Sequence, residues 1–199
     1  MSLNSKFLDV CSRAGIVLHF FNYYGNYSGT FFPKRKYISG NLTIKQALAF
    51  ENREVIAKAI VLGISKNIYE VLYHYYRHGK KELGRYFEYL KKVESYLKKA
   101  NTIEKILFIE GQIWAGFYDS FKLFLPEDFW MQKRVKRPPD NPINALISFG
   151  NTLLYTKTIS AIYQTHLDQS ISFLHFPSES RFSLSLDLSE AFKPIDYCV

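Results

Sequence analysis

Four side chains stand out for the chemistry that their type and position allow: Glu110, His175, Asp187 and Glu190. Glu110 lies within TIEKILFIEGQIWAGFYDSFKLF, residues 102–124. Wound as a helix, this stretch sets Ile103, Leu107, Glu110, Trp114, Phe117 and Phe121 on one stripe, the three-and-four spacing of a buried face. Ile106, Ile109 and Ile113 flank it. A carboxylate among these groups is costly unless something compensates its charge. Either it lies at the edge of the stripe, or an arginine neutralises it, or positive charge of another kind meets it. Gly111 comes next, and a glycine inside a helix costs roughly 1 kcal/mol against alanine, so its position predicts a close approach to the backbone.

His175 ends an apolar run in ISFLHFPSESRFSLSLDLSEAFKP, residues 171–194, just before Pro177 and a turn-like Ser-Glu-Ser. Ser183, Asp187 and Glu190 recur at four and three, so a helix through them points all three one way. A hairpin is the alternative, because Phe182, Leu184 and Leu186 alternate with serines. The hairpin would separate Asp187 from Glu190, and the helix is preferred, with Lys193 and Pro194 closing it. One imidazole and three carboxylates resemble a mixed site for a hard or borderline divalent ion: Mg²⁺ takes oxygens, and Mn²⁺ also accepts an imidazole. Such an ion would resolve the position of Glu110. The spacing alone is unspecific, since a histidine before a turn also suits a core or capping role, and Asp-x-x-Glu suits any helix start.

Other chemistries have less behind them. Cys11 and Cys198 form neither a disulfide framework nor a metal-ligand spacing, and no histidine is placed by local signature to activate either. No glycine-rich phosphate loop is present. Asn41-Leu42-Thr43 matches a glycosylation acceptor without any sign of secretion.

The elements that must hold these residues are mostly helical. Residues 4–13 suit a short helix, Ile16 to Phe21 a strand and Thr30 to Phe32 a returning strand across a glycine-rich turn. Two strands and one helix do not make a stable unit, so residues 1–40 read as the remnant of an N-terminal β domain, with Pro33 to Asn41 as linker. Residues 41–199 read as a helical domain. Its first pattern covers 43–78, with Gly63 as a break and Gly79 closing it. Residues 81–99 follow as an amphipathic, basic helix. Leu125 to Asn141 is a loop, and Asn141-Pro142 starts a helix that runs to about His166. On that helix Asn144, Ser148, Asn151 and Tyr155 form a polar line without a charge, which predicts the lining of a cleft. Ile143, Leu146, Ile147, Leu153 and Leu154 lie opposite. The fold expected is mostly α with a partial N-terminal β piece, α+β overall.

A hydrophobic content of 47% with 22% charged residues describes a folded chain of 199 residues. Net charge +8 and a pI near 9.3 point to an acidic partner, nucleic acid or an anionic surface. No apolar run of membrane-spanning length is present, and the start lacks a signal-peptide layout, so no membrane and a cytoplasmic location are expected. For DNA contact the candidates are Lys133, Arg134, Lys136 and Arg137 in the 125–141 loop, and Arg181, which can instead pair with Asp187 or Glu179.

The sequence resembles the CRISPR adaptation integrases, metal-dependent nucleases that insert new spacers into a CRISPR array. Ile109-Glu110-Gly111, PINALISFGNTLLY and above all SFLHFPSESRFSLSLDLSEAFKP carry the resemblance, and FLDVCSRAGIVLHFFNYYGNYSG is similar to the later half of the family's β domain. The resemblance implies metal ligands at Glu110, His175 and Glu190, where many relatives have Asp at the last position. It implies Asp187 as a nearby second acid that orients a ligand, hydrogen-bonds to a ligand from behind or joins a second ion. It also implies Mn²⁺ or Mg²⁺ as cofactor, and phosphodiester hydrolysis or transesterification by a 3′-hydroxyl. The partners implied are DNA, a second copy in the full-length protein and the small ferredoxin-like subunit of the adaptation complex. Relatives have further strands before Asn4 and a helical region after Val199, so a truncated chain is expected. The rival expectation is a non-enzymatic basic helical module that binds nucleic acid, its carboxylates paired by arginines; a membrane-surface role is weaker, because Glu82, Glu88 and Glu94 interrupt the basic residues of 81–99.

Overall fold

The computed structural model describes residues 3–34, 37–136, 138–179 and 181–196. Helix α1 (Ser5–Ala14) starts where the Asn4 side chain accepts the Phe7 N–H and ends at Gly15, whose φ of 70° is left-handed. Strands β1 (Leu18–Phe21) and β2 (Tyr27–Phe31) pair antiparallel, with His19 opposite Thr30 and an irregularity between Phe20 and Phe21. The returning strand therefore begins earlier than Thr30. Asn22 closes the turn by accepting the Tyr24 and Asn26 N–H groups, and Gly25 supplies a φ of 76°. The mostly helical architecture with a small N-terminal β piece is as expected.

Helix α2 (Gly40–Ala49) is capped by the Ser39 hydroxyl, and a single 3₁₀ turn at Phe50–Asn52 separates it from α3 (Arg53–Arg77). The break expected at Gly63 thus falls at 50–52. Gly63 lies inside α3, where a Cβ would stand 3.6 Å from Ala191 Cβ, so its small size serves packing against a neighbouring helix. Gly79, at φ 101°, ends the hairpin between α3 and α4 (Gly84–Lys99). Helix α5 (Ile103–Ser120), capped by Thr102, carries Glu110. Helix α6 (Pro142–Tyr163) opens as expected, with the Asn141 side chain accepting the Asn144 N–H and Pro142 in the first turn. Helix α7 (Ser183–Asp196) resolves the choice between helix and hairpin. Pro194 does not close α7 but lies inside it, in the last turn, where a missing N–H forfeits only one backbone bond.

Helix α3 is the centre. Ala57, Val61, Ile64, Ile68 and Leu72 are almost wholly buried, against α4, α5 and α7. The face opposite the polar line of α6 splits: Ile143 and Ile147 are buried, whereas Leu146 and Leu153 are exposed. Gly111 has open space where a Cβ would go, so no group approaches its backbone. The close approach is at Gly116, where a Cβ would lie 2.6 Å from the Tyr89 ring.

Candidate active site

Asp187 is the hub of the candidate site. It is fully buried on α7, and its carboxylate accepts four N–H groups from one short segment. Oδ2 takes the backbone N–H groups of Phe173 (2.6 Å) and Leu174 (2.8 Å); Oδ1 takes the His175 N–H and His175 Nδ1, both at 3.0 Å. A carboxylate only accepts, so Nδ1 carries the proton and Nε2 remains as the second ring nitrogen. Ser172 Oγ donates to the His175 carbonyl at 2.8 Å and fixes the segment further. The alternative use of Arg181, pairing with Asp187 or Glu179, does not occur among the described residues: Arg181 Nη2 donates towards the Phe176 carbonyl at 3.4 Å.

Glu190 follows one turn later on α7, with its side chain 11% exposed and held by the Lys193 ammonium. Glu110, on the facing stripe of α5, accepts the Trp114 indole N–H at 3.0 Å. Burial, and then the charge of Glu190, push the Glu110 carboxyl above its usual range, against weaker pulls from His175, Trp114 and Lys193. The Asp187 hydrogen bond raises His175, and the charges of Asp187, Glu190 and Glu110 add to it against burial. Glu110 and His175 therefore lie within electrostatic reach of one another and of Glu190. Among the described residues no three His, Cys, Asp or Glu side chains are close enough to hold an ion together as placed. Glu190 is turned to Lys193 and Glu110 to Trp114.

The polar line of α6 is buried at one end and half-buried along the rest. Asn144 is fully buried and ties down the incoming chain: Oδ1 accepts from Arg134 Nη1 (2.9 Å) and the Val135 N–H (3.1 Å), and Nδ2 donates to the Lys133 carbonyl and to Asp140. Arg134 Nη2 continues to Ser148 Oγ at 2.9 Å. Tyr155 accepts the Phe182 N–H at 3.1 Å, fastening the start of α7, and Asn151 is half-buried. Arg134 thereby engages both Nη nitrogens within the protein, which sets these contacts against its expected use on DNA. Lys133, Lys136 and Arg181 are exposed, while Arg137 and Cys198 lie outside the described residues.

Two positioning residues escape a reading of the sequence. Buried Gln46 clamps the segment leading to His175, donating to the carbonyls of Asp168 and Ile171 and accepting the Asp168 N–H. No local signal marks it. Asn67 donates to the Ala191 carbonyl at 2.6 Å, tying α3 to α7. It stands with Ile60, Ile64 and Val71 at four, three and four, the same kind of polar interruption that marks Glu110.

The sequence model of the family described as CRISPR associated protein Cas1 matches residues 1–199. A CRISPR-associated endonuclease Cas1 of Fusobacterium nucleatum subsp. nucleatum is 44% identical over 198 residues, covering 98% of this chain and 58% of the relative. One from Pyrococcus horikoshii is 43% identical, with 98% and 59% covered. Among solved structures, a Cas1 protein from Thermotoga maritima aligns with TM-score 0.83 and 38% identity over 97% of this chain and 61% of that one. A casposase bound to integration product has the same fold, with TM-score 0.82 at 23% identity over 98% of this chain and 55% of that one. The chain spans about three fifths of the length of the curated relatives it matches.

Proposed function

The chain belongs to the CRISPR-associated Cas1 family, and we propose that it carries the catalytic helices of a divalent-metal-dependent DNA endonuclease or integrase of spacer acquisition. The observation that carries this reading is the buried Asp187 carboxylate fixed on His175, one helical turn from Glu190, with Glu110 within electrostatic reach of both His175 and Glu190. Two carboxylates and an imidazole suit Mn²⁺ or Mg²⁺. A buried carboxyl pushed upward by burial and by a second acid is the environment that a divalent cation relieves. Glu110, His175 and Glu190 would hold it. The chemistry a bound ion supplies is neutralisation of a phosphate oxygen and activation of water or a 3′-hydroxyl.

The remaining roles belong to the chain itself. Asp187 keeps the proton on Nδ1 and so reserves Nε2 for ligation. Gln46 and Ser172 hold the 168–175 segment in place. Exposed Lys133, Lys136 and Arg181 are available to DNA phosphates. The partners that go with this reading are DNA, a second copy of the protein and a small ferredoxin-like subunit. Chains of a Cas6-RT-Cas1–Cas2 complex share the fold. No helix among the described residues is long and apolar enough to cross a membrane, and the cytoplasm is the compartment proposed.

The test is Mn²⁺-dependent cutting of branched or single-stranded DNA, and joining of a 3′-hydroxyl strand, by the wild type, Glu110→Ala and His175→Ala. Loss of both activities in the folded variants is expected, together with loss of the Mn²⁺-induced rise in Tm. Activity that survives both substitutions removes the catalytic assignment. Salt-sensitive binding without cleavage in any divalent ion supports the non-enzymatic reading instead.

A further inference from the structure

Arg53, the first residue of α3, is the charged side chain that nothing above explains. Its Nη1 is shielded from water and has no hydrogen-bond partner among the described residues. None of the ion pairs among those residues includes it. Its guanidinium carbon lies 4.5 Å from the centroid of the Phe50 ring and 5.3 Å from that of Phe176. These rings stand nearly perpendicular, 6.2 Å apart. Phe176 directly follows His175 and is 68% exposed. On the other side, Glu104 in the first turn of α5, six residues before Glu110, is near enough to feel the Arg53 charge.

Arg53 thus borders the candidate site through Phe176, the residue next to His175. A buried N–H without an acceptor is rare and points to a missing partner. Here the missing partner must be an acceptor, because guanidinium only donates, and an anion suits it, because no carboxylate among the described residues closes an ion pair on it. Guanidinium matches phosphate oxygens with its planar fork.

We propose that Arg53 is a phosphate anchor: its fork takes a non-bridging oxygen of the DNA strand that passes His175, while the exposed ring of Phe176 gives way. The charge-assisted bond to phosphate replaces a weaker cation–π contact. This inference rests on the nucleic-acid reading above, and adds a contact that a sequence reading confined to the 125–141 loop and Arg181 does not include.

The experiment measures Kd for single-stranded and duplex oligonucleotides over a salt series without divalent ions, for wild type, Arg53→Gln, Arg53→Lys and Arg134→Gln. Removing one phosphate contact lowers the slope of log Kd against log salt by about 0.7 for single strands and about 0.9 for duplex. Arg53→Gln is expected to show that loss, with weaker binding at low salt. Arg53→Lys keeps the slope. Arg134→Gln lowers Tm and leaves the slope unchanged. A folded Arg53→Gln protein with wild-type slope overturns the proposal and leaves Arg53 as a brace for Phe176. Should Arg53→Gln not fold, Phe176→Ala decides: uncovering the fork is expected to tighten binding, and unchanged or weaker binding overturns the anchor. Wild type that binds no DNA at any salt sinks this inference and the proposed function together. Wild type that binds and cuts, with an unaltered slope in Arg53→Gln, sinks only the anchor.

Discussion

Replacing Asp187 by asparagine keeps the shape of the side chain and changes one oxygen into an NH₂ group. The native carboxylate accepts four N–H donors, two on each oxygen, and is fully buried. With the amide nitrogen towards Phe173 and Leu174 two donors lose their acceptor; turned towards His175 it leaves one backbone donor unsatisfied, because the ring can switch tautomer and accept from it. A buried donor left unsatisfied costs about 1–3 kcal/mol, so the substitution should destabilise by about 1–6 kcal/mol. Set against a typical domain stability of about 5–15 kcal/mol, this leaves a folded but weakened protein. With a urea slope of about 2 kcal/mol/M, the midpoint should fall by about 0.5–3 M with the slope itself unchanged. Equilibrium urea unfolding followed by far-UV circular dichroism reads the midpoint, and amide exchange reads local protection at Phe173, Leu174 and His175. These three amides should exchange faster than the rest of the core. A midpoint shift below about 0.3 M at constant slope would show that the four contacts do not hold the segment, and the account of Asp187 as its hub would fail.

The glycines of α5 make an internal control for packing. Gly116→Ala forces a Cβ to 2.6 Å from the Tyr89 ring, whose hydroxyl donates to the Gln112 carbonyl, and should cost about 1–3 kcal/mol by thermal denaturation. Gly111→Ala meets nothing within 4 Å and should instead stabilise by about 0.5–1 kcal/mol. His19 links the β hairpin to α6 through 2.7 Å hydrogen bonds with Thr30 Oγ1 and Ser160 Oγ, and burial lowers its pKa below the ordinary 6.5 despite an opposing backbone hydrogen bond at Thr156. Between the lowered folded value and 6.5 the unfolded chain binds more protons, so stability is complete above 6.5 and declines as pH falls towards the folded value. Urea midpoints measured across that window should show the decline in wild type and a flatter profile in His19→Gln; equal profiles would refute the linkage.

Much of the site was legible because its signals are local. The stripe that isolates Glu110 depends on residues three and four apart, which a helix brings together wherever it packs. The same holds for the Asn141-Pro142 start, for Gly79 at the end of α3, and for Asp187 and Glu190 sharing a helix. Gly63 misled because a helix-interior glycine signals a break or a tight contact equally well, and only Ala191, on a distant helix, decides between them. Pro194 misled for a related reason: in the last turn of α7 it removes a bond that the helix end can spare.

The chain's own order of residues therefore determined which groups are unusual: a carboxylate on an apolar stripe, a histidine before a turn, two acids one turn apart. Tertiary structure decided what each is joined to. Asp187 holds a segment twelve to fourteen residues away, Gln46 clamps one more than a hundred residues on, Arg134 is bonded to α6, and Arg53 is left with an unused donor. Hydrogen-bond partners are set by distances of about 3 Å, and such distances between remote segments exist only after the helices have packed.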